Sequence, residues 1–114
     1  MAAATTISLP QLRAFCRDAF ERAGLSGPDS GTGAEVLSTT DAWGVFTHGS
    51  KALRGYLRRL QASGLRARGR PGIVAEGPAW AVVDGDSALG MVTSVFAMTT
   101  AIGKARQAGV GYVG

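Results

Sequence analysis

Ile73-Val-Ala75, Gly77-Pro78, Trp80-Ala-Val-Val83 and Asp84-Gly-Asp86, followed by Met91 to Gln107 and then Val110 to Val113, form the stretch on which the fold class turns. Two short β-prone runs on either side of a Gly-Pro turn predict a hairpin. After it, Val92, Val95, Phe96, Met98, Thr99, Ile102 and Ala105 recur at helical spacing and stop at Gly109. Val110 to Val113 then opens another β run. A strand reached after a helix needs a neighbour to pair with and a following connection, so the expectation is an α/β protein of which this is the N-terminal part.

Upstream of that stretch the pattern is helical. Ser8 is a natural N-cap and Pro10 fits a first turn, whose amide is unpaired in any case. Leu12, Phe15, Cys16, Ala19, Phe20 and Ala23 make one apolar stripe before Gly24. A second helix is expected from about Asp29 or Thr32 to Gly44, with Val36, Leu37 and Ala42 or Trp43 inward. Val45-Phe-Thr-His-Gly49 is a junction to a third helix, with Leu53, Tyr56, Leu57 and Leu60 on its apolar side and Gly64 as its stop. Leu65 to Gly72 reads as a flexible basic link. The division expected is a helical segment over 1–70 and the beginning of an α/β domain over 71–114.

The 114 residues suffice for one compact core and are too few for two ordinary domains. Cys16 is the single cysteine, which excludes an internal disulfide framework and a cysteine-only zinc site, and no ligand cluster indicates a metal. Met1-Ala-Ala-Ala-Thr-Thr lacks the charged start and apolar run of a signal peptide, and no stretch approaches the roughly 18 apolar residues of a membrane span. A soluble, cytoplasmic setting is therefore expected.

The net charge of +4 is local: Arg54, Arg58, Arg59, Arg66, Arg68 and Arg70 lie within seventeen residues that contain no acid. Guanidinium groups there suit a solvated helix face, a small anion or nucleic-acid phosphates. No aromatic interleaving or nucleic-acid module accompanies them, which sets nucleic acid last.

Among residues that carry chemistry, His48 is the only histidine, and its Thr-His-Gly junction is a place where a side chain can be presented to a cleft. A loop histidine bonded to a neighbouring carbonyl is the plain alternative. Tyr56 has a hydroxyl able to bond a substrate, but its place on the leucine stripe favours packing. Asp84-Gly-Asp-Ser-Ala-Leu-Gly90 is a tight turn leading into a helix. The chain has no Gly-x-Gly-x-x-Gly between a strand and a helix and no phosphate-binding Gly-Lys-Ser/Thr. Cys16, on the first apolar stripe, should be a buried thiol.

Taken together, Asp41-Ala-Trp-Gly-Val-Phe-Thr-His-Gly49, Leu53, Tyr56, Arg59-Leu60, Gly64, Val83-Asp-Gly-Asp86, Leu89-Gly90, Ala97-Met98, Ala101-Ile102, Lys104-Ala105 and Gly109-Val-Gly111 resemble the type-2 malate/L-lactate dehydrogenase family. That family also holds ureidoglycolate, sulfolactate and cyclic-imine reducing members. The resemblance runs in order from about residue 8 through nearly the whole chain.

It implies an oxidoreductase of non-Rossmann fold that uses NAD or NADP, forms a homodimer, and interconverts a 2-hydroxy acid and a 2-oxo acid or reduces a related cyclic imine. It assigns His48 to the active site, as proton donor or as the group that orients the substrate, and Tyr56 to substrate binding. The family pattern usually has an arginine four residues after the histidine to grip the substrate carboxylate. Here that position is Ala52, and Lys51 or Arg54 is expected to take its place in substrate binding, although both fall on different faces from residue 52. Most of the family's cofactor-binding part lies beyond Gly114, so the 114 residues alone are expected to be inactive. The alternatives are a noncatalytic fragment that packs or dimerises, and a small basic nucleic-acid-binding protein.

Overall fold

Ser8 opens the first helix in the computed structural model, which describes residues 3–114. Met1 and Ala2, at the start of the expected helical segment, lie outside the described residues. The Ser8 hydroxyl accepts the Gln11 N–H at 3.3 Å and helix α1 runs over Leu9–Arg22. Gly24, at φ +101°, turns the chain out of it. Helix α2 spans Gly27–Ala42, beginning earlier than the sequence pattern suggests because Ser26 caps it, accepting the Asp29 N–H at 3.2 Å.

The two helices pack along each other through small residues. A β-carbon on Gly33 would stand 2.7 Å from the Phe20 ring. Cys16, Phe20, Leu25, Ala34, Leu37, Leu53 and Leu89 form the buried core, with Leu12, Ala19, Tyr56, Leu57 and Leu60 packed around it. Phe15 departs from the expected stripe and is 64% exposed. Ala42 and Trp43 also face outward, since α2 leaves the core after Ser38.

After Gly44 (φ +81°) come two short 3-10 turns, Phe46–His48 and Ser50–Ala52, and then helix α3 over Leu53–Gln61. Ser63 (φ 59°) takes the left-handed position expected of Gly64, whose N–H instead returns to the Arg59 carbonyl at 2.8 Å.

The basic link is held rather than loose. The Arg66 N–H donates to the Ser87 carbonyl at 2.8 Å, the Arg70 N–H donates to Asp86 Oδ2 at 2.8 Å, and the Arg66 guanidinium pairs with Asp86 Oδ1. Gly69 lies flat on this turn, where a β-carbon would be 2.7 Å from the Asp86 carbonyl oxygen.

Strands β1 (Gly72–Glu76) and β2 (Trp80–Asp84) form the hairpin, antiparallel, with a bulge between Ile73 and Ala75. Helix α4 (Gly90–Ala108) ends at Gly109, φ +85°, and leads to β3 (Tyr112–Val113), which pairs parallel with β2. The order β1-β2-β3 with a helical crossover from β2 to β3 is the α/β arrangement that the sequence pattern predicts.

Helix α4 approaches the sheet through its small residues: a β-carbon on Gly111 would overlap the Ala101 carbonyl. Lys104 secures it, donating to Glu76 Oε2 at 2.7 Å and to the Gly77 carbonyl at 2.8 Å. The bulkier Val95, Met98 and Ile102, which recur at the helical spacing read in the sequence, are left exposed.

The accessible surface is 7354 Å² and the radius of gyration 16.1 Å. Roughly 5,900 Å² and about 13 Å are usual for a globular chain of this mass and length. Exposed apolar side chains contribute to the excess, on α4 and the sheet and also at Ile7, Phe15, Trp43 and Phe46.

Candidate functional site

The junction between α2 and α3 is built around one carboxylate. Asp41, in the last turn of α2, accepts the Ser50 N–H at 3.0 Å and the Ser50 hydroxyl at 2.5 Å, both on Oδ2. Gly49 is buried directly against that carboxylate, and a β-carbon at residue 49 would overlap it. The backbone is closed further by His48 N–H to the Val45 carbonyl at 3.1 Å and Ala52 N–H to the Gly49 carbonyl at 3.0 Å.

On this held backbone the His48 side chain stands in solvent. Its Nδ1 lies 2.9 Å from Thr47 Oγ1, so among the described residues Nε2 has no hydrogen-bond partner. An imidazole held at one nitrogen and open at the other has the geometry for proton exchange with a molecule approaching from outside.

Lys51 and Arg54 are exposed near the same turn, while Ala52 is half-buried between them. Neither basic side chain forms an ion pair among the described residues. Both are free to meet an anion. Tyr56 sits elsewhere. It is half-buried against the core and lines a cleft of about 490 Å³ with Val36, Met91, Ser94, Val95 and Met98. Among the described residues no hydrogen bond joins Tyr56 to His48.

On the other side of the junction, Ile7, Leu9, Leu12, Ala42 and Phe46 line an open groove of about 320 Å³, with Asp41 and Ser50 as its polar wall. Asp41 and Ser50 are the residues to which sequence reasoning attached no role. Local sequence carries no signal for the pair, because nine residues separate Asp41 from Ser50 and only the fold of the junction brings them together.

Cys16, buried on α1, has its pKa raised by burial and, secondly, by the negative charge of Asp41, so the protonated thiol is favoured. It is a core residue. Among the described residues no group of three or more His, Cys, Asp and Glu side chains stands close enough to hold a metal ion.

A dinucleotide would require free amides for its diphosphate. In the turn from Asp84 to Ala88 two amides are already engaged, the Asp86 N–H donating to Asp84 Oδ1 at 2.8 Å and the Ala88 N–H to the Gly85 carbonyl at 2.9 Å. Two carboxylates also stand on that turn.

A family model described as malate/L-lactate dehydrogenase matches residues 7–114. A malate dehydrogenase of Pyrococcus abyssi is 33% identical over 103 residues, covering 90% of this chain and 28% of the relative. An L-sulfolactate dehydrogenase of Methanocaldococcus jannaschii is 35% identical over 96 residues, covering 84% of this chain and 28% of the relative. The solved structure of a malate dehydrogenase from Pyrococcus horikoshii superimposes with a TM-score of 0.93 at 29% identity, over 96% of this chain and 31% of that one. The chain therefore spans under a third of the length of each of these three proteins.

Proposed function

Because the chain belongs to the malate/L-lactate dehydrogenase family, we propose that it carries the proton-handling part of a nicotinamide-dependent oxidoreductase acting on a small 2-hydroxy or 2-oxo acid. The observation that carries this reading is His48: an exposed imidazole, engaged at Nδ1 and open at Nε2, on a backbone pinned by Asp41. Reducing a 2-oxo acid places negative charge on the former carbonyl oxygen, and that oxygen needs a proton. An imidazole, whose ring nitrogens can donate a proton or accept one, is suited to deliver it and, in the reverse direction, to receive it.

Lys51 and Arg54, exposed beside the turn, are the side chains we assign to the substrate carboxylate, since residue 52 is alanine. Tyr56 is assigned to the substrate through its hydroxyl. The nicotinamide, NAD or NADP, supplies the hydride when bound. Its diphosphate is assigned to the part of the relatives' length that this chain does not span. The helical segment over 1–70 and the α/β segment over 71–114 are read as the beginnings of two units. The exposed apolar side of α4 is assigned to packing within the whole protein, which we take to be a cytoplasmic homodimer.

The test is an assay of the natural gene product for oxidation of NADH and NADPH in the presence of oxaloacetate, pyruvate, sulfopyruvate and cyclic imines. Turnover with one of these supports the reading. The absence of turnover with all of them, in folded protein that binds the cofactor, rejects it.

A further inference from the structure

We propose that Asp41 is the positioning residue for His48, acting through Ser50 and Gly49; this rests on the assignment of His48 to the active site. Neither 3-10 turn of the junction has a side-chain cap of its own. Phe46, Thr47 and His48 are all exposed, so packing does not hold them. Gly49 is the one buried residue between Trp43 and Ala52, and the Asp41 carboxylate fills the space its β-carbon would take.

The two hydrogen bonds from Ser50 to Asp41 Oδ2, at 3.0 and 2.5 Å, fix the chain one residue beyond that glycine. His48 therefore leaves from a backbone clamped on its C-terminal side by Asp41 and closed on its N-terminal side by its own N–H to Val45. Misplacing a reacting group by about 1 Å is enough to cost on the order of 10²-fold in rate, so this clamp acts on turnover. Its action is steric as well as polar, because residue 49 can approach the carboxylate only without a β-carbon.

The experiment is a double-mutant cycle in the complete gene product, reading kcat with both substrates saturating, KM for the nicotinamide, and the melting temperature. Asp41→Ala and Gly49→Ala should each lower kcat about 10-fold or more, with KM for the nicotinamide little changed. Removing the carboxylate opens the space that a β-carbon at residue 49 needs. Gly49→Ala should therefore cost much less in the Asp41→Ala background than alone.

Asp41→Asn, which keeps an oxygen for Ser50, should recover most of the turnover, and Ser50→Ala should fall between. If Asp41→Ala does not fold, the Asp41→Asn and Ser50→Ala pair carries the same test. Lower melting temperatures with unchanged kcat, or strictly additive losses in the cycle, would overturn the proposal. His48→Ala is the control that separates the two ideas. If it abolishes turnover while Asp41→Ala and Ser50→Ala do not, the positioning role fails alone; if it leaves turnover intact, the site assignment fails and the proposal with it.

Discussion

The ring of Phe20 occupies the space in which a side chain on Gly33 would have to begin, with ring Cε2 2.7 Å from where that β-carbon would be. Phe20 is fully buried and Leu89 closes the other side at 3.1 Å, so the ring has little room to retreat. Replacing a helical glycine by alanine ordinarily gains about 1 kcal/mol. Here overpacking, about 1–3 kcal/mol, should outweigh that gain. Gly33→Ala is expected to lower the melting temperature by several degrees, and a raised one would show that α1 and α2 can separate without loss.

Asp86 ties the basic link to the turn before α4 by accepting from the Arg66 guanidinium and the Arg70 N–H. Asp86→Ala should cost about 1–2 kcal/mol. Its clearest signature is faster amide hydrogen exchange over residues 66–70, with the amides of α1 and α2 remaining protected. Uniform loss of protection would mean that the link is part of the global folding unit.

Cys16 supplies a pH dependence. Its folded pKa is raised above the ordinary value of 9.0, chiefly by burial. The folded state holds the proton more tightly than the unfolded one, so this stability is fully present below the unfolded pKa and is lost as pH rises through the folded pKa. Cys16→Ala or Cys16→Val should remove that loss in denaturation curves taken on the alkaline side of pH 9.0. In the native protein the thiol should react with iodoacetamide far more slowly than in denaturant.

Much of this arrangement is legible in the sequence because it follows from periodicity and punctuation. The Ser8 cap, the stripe through Cys16 and Phe20, the hairpin on either side of Gly77-Pro78 and the stop at Gly109 all appear where local patterns place them. Tertiary packing decides the rest. Phe15 and Met98 have helical spacing, yet they face away because α1 turns its other side to α2 and α3, and α4 approaches the sheet through Ala101 and Gly111. The candidate site divides the same way. His48 stands out as the only histidine on a glycine-bearing junction, whereas the clamp by Asp41 depends on nine residues of chain folding back to bring Ser50 to it.

Lys51 and Arg54 carry a testable share of substrate recognition. If they meet the substrate carboxylate, Lys51→Ala and Arg54→Ala should raise KM for the acid about 10-fold or more, in keeping with hydrogen bonds to charged groups worth about 1.5–3 kcal/mol. kcat should change less. An unchanged KM in both variants would place the carboxylate elsewhere.

The central claim, that His48 moves the proton in a dehydrogenase reaction, is tested most directly by His48→Ala in the complete gene product, comparing kcat and cofactor affinity with the unmodified enzyme. The account predicts a fall in kcat of roughly 10²-fold or more with nicotinamide binding preserved. Unchanged turnover in a folded, cofactor-binding variant would contradict it.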